Sequence, residues 1–269
     1  MDNDWSQANI EMMTRWSRLN FPLKIAYEGP KHKFDNLIGV LNKIDIVRVN
    51  WKMNENMMKA KESLLKFKWF TLTSRTLCNL RTFEAVEKLH LQDQYIWTIE
   101  KDVAFMGNPK LFFDSYITSE SDLISSTYGY ADNTYWAFRP RTLLANATYD
   151  ARRWPWNVSK IKKDVVIWRA IMVERVSPKL LKFMENLTDN GLFMQSEIFE
   201  STVCYNENWC SMQSWDEHTK WKSKYFVPNT GRLRLRFPTC DIVSRCCKNQ
   251  FVHPLFELKN EMGCNATLR

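Results

Sequence analysis

The feature that most constrains this chain is an alternation: short apolar stretches suited to strands take turns with stretches of helical periodicity, joined by short connections. Pro22 to Tyr27 (PLKIAY) reads as a strand, Phe34 to Leu41 as a short helix and Ile44 to Val49 (IDIVRV) as a second strand, with turn chemistry at Gly29-Pro30. That is a β-α-β unit. Helical spacing returns over Asn56 to Phe67 and over Leu80 to Leu89, where Leu80, Phe83, Val86 and Leu89 share one face; Trp69 to Leu72 and Tyr95 to Ile99 read as strands. Parallel strands need a crossover between them and a helix is the usual one. The expectation is therefore an α/β fold: a single domain over residues 22–269 with a mostly parallel central sheet covered by helices on both faces. Residues 1–21, with apolar positions at Trp5, Ile10, Met13, Trp16 and Leu19, form a helical arm ahead of it.

Further along, Asp122 to Ser125 and Val165 to Val173 are strand segments, the second apolar enough to be central in the sheet. Ser177-Pro178 opens a helix over Lys179 to Asn186, with serine at the N-cap and proline in the first turn. Glu197 to Val203 is a further helical stretch. Arg232 to Phe237 (RLRLRF) alternates strictly, so a strand there sets three arginines on one face, either as solvated edge charge or as a phosphate-holding row. The last sixty residues carry little periodicity.

Composition narrows the classes. The chain has 269 residues, 45% apolar and 25% charged, which is the profile of a folded protein and excludes disorder and low-complexity arrays. A net charge of +8 and a pI of 9.1 favour polyanions: nucleic acid, anionic lipid or the diphosphate of a nucleotide. No zinc-finger or RRM signature accompanies the charge, so a basic nucleic-acid-binding protein has no other support. The longest apolar run, Val165 to Val173, includes Arg169 and is far shorter than the roughly 18 to 20 residues of a membrane span; the acidic opening MDND does not resemble a secretory leader. Seven cysteines lack any C-x-x-C pair, so zinc is not indicated and an odd thiol remains in a monomer. Acceptor triplets N-x-S/T occur at Asn146, Asn157, Asn186 and Asn265, but about three arise by chance at this composition, and the compartment stays open.

The chemistry sits where Tyr95 to Ile99 runs into Glu100-Lys101-Asp102. In an open parallel sheet the ligand crevice lies beyond the carboxyl ends of the strands. Carboxylates at i and i+2 point to one side if the backbone stays extended, and such hard oxygen donors suit Mg²⁺ or Mn²⁺ bound to phosphate. The plain alternative is a solvated strand-end turn.

Around this junction the sequence YIWTIEKDVAFMGNPKLFFDSYITSESDLISS resembles the metal-site segment of nucleotide-sugar-dependent glycosyltransferases of the GT-A fold, in which an apolar strand ends in an acid-x-Asp motif. More narrowly it is similar to glycosyltransferase-like proteins with the core W-x-I-E-x-D-V-x-[FY]-x-G, matched by Trp97, Ile99, Glu100, Asp102, Val103, Phe105 and Gly107, then by Phe112, Phe113, Asp122 and Leu123. A second block is VERVSPKLLKFM (Val173 to Met184) with GLFMQSEIFESTVC (Gly191 to Cys204), and a third is FVHPLFELK (Phe251 to Lys259). The three blocks span roughly residues 90 to 260, and their order and spacing carry the likeness.

The resemblance implies that Glu100 and Asp102 hold a divalent metal, that His253 supplies a late metal or phosphate ligand, and that Glu197 stands near the acceptor as general base. It implies that Arg75 and Asn79, ahead of the Leu80 helix, reach the nucleotide; ordinary helix capping and surface charge are the alternative for both. Two departures stand out: the first acid is Glu100 where the family commonly has aspartate, and a helix precedes the first strand where a GT-A domain opens with a strand. The expected activity is metal-dependent transfer of a sugar from a nucleotide-sugar to a glycan, protein or lipid acceptor, in the secretory or Golgi lumen as the family suggests or in the cytoplasm. Its rival is a catalytically inactive binding protein on the same GT-A-like fold.

Overall fold

The computed structural model describes residues 7–18, 22–50, 78–100, 103–105, 108–126, 128–130, 167–169, 173–190, 196–215, 222–225 and 250–253, with isolated positions between 52 and 58. The described residues are α/β. Contacts divide the chain into two interleaved units, one built from Met1–Ile46, Ile99–Glu120 and Trp215–Arg269, the other from Val47–Thr98 and Ser121–Ser214.

The first unit begins with α1 (Gln7–Ser17), which buries Met13 and Trp16, so the expected arm contributes to a core. Strand β1 (Lys24–Tyr27), helix α2 (Lys31–Val40) and strand β2 (Asp45–Arg48, whose last two residues cross into the second unit) follow, and β1 pairs with β2. This is the β-α-β order read from the sequence. Met13, Ile25, Tyr27, Leu37, Leu41 and Ile44 form one apolar cluster, and Lys24 Nζ meets Asp45 Oδ2 at 2.5 Å. Gly29 is required by close approach: a Cβ there would lie 2.4 Å from the Tyr27 hydroxyl.

Also in this unit, β4 (Ala104–Phe105), helix α4 (Pro109–Asp114), β10 (Lys222–Tyr225) and β11 (Gln250–His253) build a second sheet in the order β10-β11-β4. Strands β10 and β11 run parallel, β11 and β4 antiparallel. Asn108 caps α4, its side chain accepting from Lys110 N at 3.0 Å, and Pro109 fills the first turn. The paired aromatics face inward: Phe112 meets Phe105, Phe113, Tyr116 and Trp215 at centroid distances of 5.0 to 6.1 Å, and Tyr116 Oη donates to Trp215 O.

The second unit carries α3 (Cys78–Lys88), β3 (Ile96–Ile99, whose last residue crosses into the first unit), β5 (Leu123–Ser125), β6 (Tyr128–Tyr130), β7 (Ile167–Arg169), β8 (Val173–Val176), α5 (Pro178–Asp189), α6 (Ser196–Asn206) and β9 (Met212–Ser214). Helix α3 buries Leu80, Phe83 and Val86 and ends with His90 at φ 54°, where Leu91 N reaches back to Val86 O, a left-handed cap made without glycine. Its main sheet has the order β3-β8-β5-β9; β5 is antiparallel to β8 and parallel to β9, and β6 pairs antiparallel with β7.

Of the described pairings, β10–β11 and β5–β9 are parallel and β11–β4, β5–β8 and β6–β7 antiparallel, so they do not bear out a mostly parallel sheet. Strand β3 is half-buried and stands at one end of the order of described strands, with β8 and β5 inside that order. The Val165 to Val173 run contributes β7 to a two-stranded pair, while fully buried β8 starts where that run ends, in a segment containing Glu174 and Arg175. The stretches Trp69 to Leu72 and Arg232 to Phe237 lie outside the described residues, as does nearly all of Asn56 to Phe67.

Candidate functional site

The E-K-D junction starts from a short local event. Strand β3 ends at Ile99, and Glu100 O accepts a hydrogen bond from Val103 N at 3.1 Å. Val103 is 0% exposed and Phe105 is packed on Phe112, which fixes where the chain emerges as β4. Glu100 is half-buried; Lys101 and Asp102 lie outside the described residues.

The distant histidine is brought to this segment by sheet register. Phe251 pairs with Phe105 and Val252 with Ala104 in the antiparallel β11–β4 ladder, so β11, whose last residue is His253, runs beside the two-residue strand that begins two residues after Asp102. On its other side His253 pairs with Tyr225 of β10. About 150 residues of chain thus separate two backbone segments that the fold makes neighbours. The His253 imidazole itself lies outside the described side chains. Among the described residues, which include neither Asp102 nor the His253 ring, no group of three His, Cys, Asp or Glu side chains stands close enough to hold a metal.

The remaining candidates belong to the second unit. Asn79 is in the first turn of α3 and Glu197 in the first turn of α6, both with side chains outside the described set; Arg75 lies outside it altogether. A carboxylate in the first helical turn is favoured by the exposed N–H groups there, and this is the setting of Glu197. One turn on, Glu200 is 2% exposed, flanked by buried Ser201 and Thr202, and α6 packs on β5, β7 and β9.

Sequence reasoning passed over Glu174 and Arg175, both buried on β8. Arg175 donates from Nη2 to Ser121 O at 3.1 Å and lays its guanidinium 4.4 Å from the centre of the Tyr95 ring. Burial lowers the guanidinium from its ordinary pKa, with Tyr95 opposing the change. The available signal was V-E-R-V, a charged pair flanked by valines immediately before a helix cap.

Around Asp122 the second unit is tied by hydrogen bonds. Its carboxylate accepts from Ser177 Oγ, Ser211 N and Ser211 Oγ, joining the starts of β5, α5 and β9. Asp122, singled out above as part of a motif, therefore acts on architecture. A disulfide between Cys204 and Cys210 links the last turn of α6 to the segment entering β9, with Cα atoms 5.1 Å apart. No protein-family model matches the chain, and no curated protein matches it.

Proposed function

We propose that this chain is a metal-dependent glycosyltransferase of the GT-A type, moving a sugar from a nucleotide-sugar donor to a hydroxyl acceptor. The single observation that carries this reading is the β11–β4 register, which makes His253 a sheet neighbour of the strand that issues from Glu100-Lys101-Asp102. Two carboxylates and one imidazole are a donor set suited to Mn²⁺ or Mg²⁺ associated with phosphate oxygens. Such a cation, when bound, neutralises charge developing on a departing nucleoside diphosphate.

The protein's own groups take the other tasks. Asp102, Glu100 and His253 would hold the cation, which supplies positive charge for the diphosphate. Val103, buried and hydrogen-bonded through its N–H to Glu100 O, and buried Phe105 anchor the chain that follows this motif. Glu197, in the first turn of α6, takes the proton from the acceptor hydroxyl. Arg75 and Asn79 contact the nucleotide. Direct displacement with inversion at the anomeric carbon follows if Glu197 is that base.

The test is to incubate the purified chain with Mn²⁺ and a panel of uridine- and guanosine-diphosphate sugars, and to measure nucleoside diphosphate released with and without chelator. Release that needs the cation and is lost in Asp102→Asn supports the proposal. Binding of nucleotide-sugar without release under any acceptor identifies an inactive binder, and no binding of any donor overturns the reading.

A further inference from the structure

Two features of the second unit bear on where the chain matures, and neither depends on the transferase reading. One is the Cys204–Cys210 disulfide. Cys204 is 1% exposed in α6 and Cys210 is half-buried, so the bond is shielded on its Cys204 side. Disulfides of this structural kind form and persist in oxidising compartments and are rare where thiols are kept reduced. The other is Asn186, in the acceptor triplet Asn186-Leu187-Thr188 near the end of α5.

Of the four acceptor triplets only this one falls on described residues. Asn186 lies on the exposed stripe of α5 with Lys182, Glu185 and Asp189, whereas Leu187 and Thr188 face the core. Asn190 Nδ2 donates to Asn186 Oδ1 at 2.7 Å and to Asn186 O at 2.8 Å. That turns the carboxamide oxygen back toward the helix end and leaves the carboxamide nitrogen on its far side. Thr188 Oγ1 is buried and donates to Met184 O at 2.8 Å, so the hydroxyl that an acceptor triplet must present is withdrawn once α5 has formed. Modification therefore has to precede folding of α5, and the folded helix then accommodates a glycan on its solvent side without displacing core side chains.

We propose that Asn186 is an N-glycosylation site in a chain that matures where Cys204 and Cys210 are oxidised. In the first step two thiols lose two protons and two electrons to a protein disulfide of the compartment, which is reduced to a dithiol. In the second, Asn186 Nδ2 forms a bond to the anomeric carbon of a lipid-diphosphate-linked oligosaccharide. The carbon–oxygen bond to phosphate breaks, lipid diphosphate leaves, and the amide gives up one proton.

One tryptic peptide, residues 183–220, contains Asn186, Cys204 and Cys210 together. The protein is isolated from the cells that make it, lysed in a thiol-alkylating reagent, digested with trypsin, and treated with an amidase that removes N-linked glycans in heavy-oxygen water. The expected peptide is lighter by two hydrogens than its reduced form, carries no alkyl group on Cys204 or Cys210, and has Asn186 converted to a heavy-oxygen-labelled aspartate. The Asn186→Gln variant keeps the disulfide and loses the label at this position. An oxidised peptide with Asn186 unlabelled overturns the assignment of the site. Alkylation of Cys204 and Cys210 before any reduction overturns the premise and the proposal with it.

Discussion

Asp122 Oδ1 and Ser177 Oγ meet at 2.8 Å across a sequence separation of 55 residues, and the same Ser177 Oγ accepts from Leu180 N at 3.1 Å. One hydroxyl thus caps α5 and ties the cap to β5. Ser177→Ala removes both bonds and should cost about 1 kcal/mol as a lost cap. Asp122→Ala, which also strands Ser211 N, should cost about 1–3 kcal/mol. Because the two residues share the bond, urea denaturation of the single and double variants should show a coupling of about 0.5–3 kcal/mol. Strict additivity would show that cap and clasp act separately.

Glu185 on α5 should make the protein more stable when it is neutralised. Though it lies on the exposed stripe, partial desolvation raises its carboxyl above the ordinary value of 4.5, the charges of Asp189 and Glu87 raise it further, and Lys182 opposes them. A carboxyl with a raised folded-state value binds its proton more tightly in the native state, so its contribution to stability falls as pH rises through that value. Glu185→Gln should therefore melt higher than the natural chain at pH 7, and the gap should close as the pH is lowered through the carboxylate range. A gap that widens on acidification contradicts this sign.

The left-handed cap at His90 is held by a residue with a Cβ at φ 54°. Glycine takes this conformation without steric cost, so His90→Gly should stabilise α3 by about 0.5–1 kcal/mol, read as a shift in denaturation midpoint at unchanged slope. Destabilisation would assign the His90 side chain a role in packing.

Donor binding and transfer should separate between the two sets of acids. Asp102→Asn and His253→Ala should each weaken Mn²⁺-dependent binding of a nucleotide-sugar, by about tenfold or more, since both are assigned to the cation. Glu197→Gln should leave donor affinity unchanged and lower transfer by about 10² to 10⁴. Equal Mn²⁺-dependent affinity in the natural chain and Asp102→Asn removes the metal assignment, and full transfer by Glu197→Gln removes the base.

Periodicity and caps were legible in the sequence because they are local. The β-α-β opening, the Leu80 helix, Ser177-Pro178 at the start of α5 and the first turn holding Glu197 all follow from spacing within a dozen residues. What sequence could not decide was pairing and burial. Val165 to Val173 is the more apolar stretch, yet Val173 to Val176 is fully buried and brings Glu174 and Arg175 into the interior, where Arg175 Nη2 donates to Ser121 O and the guanidinium lies over the Tyr95 ring. Those contacts to Arg175 come from distant sequence, so no local count of apolar residues reveals the strand as buried. The same holds for His253: an isolated histidine in FVHP has no meaning by itself, and only the β11–β4 ladder makes it a neighbour of the segment after Asp102. Cys204 and Cys210 are likewise two of seven cysteines until α6 and β9 set their Cα atoms 5.1 Å apart. Sequence determined the elements, whose periods are set by backbone geometry; tertiary structure decided their neighbours, because hydrogen-bond register and burial depend on residues that the chain itself keeps far apart.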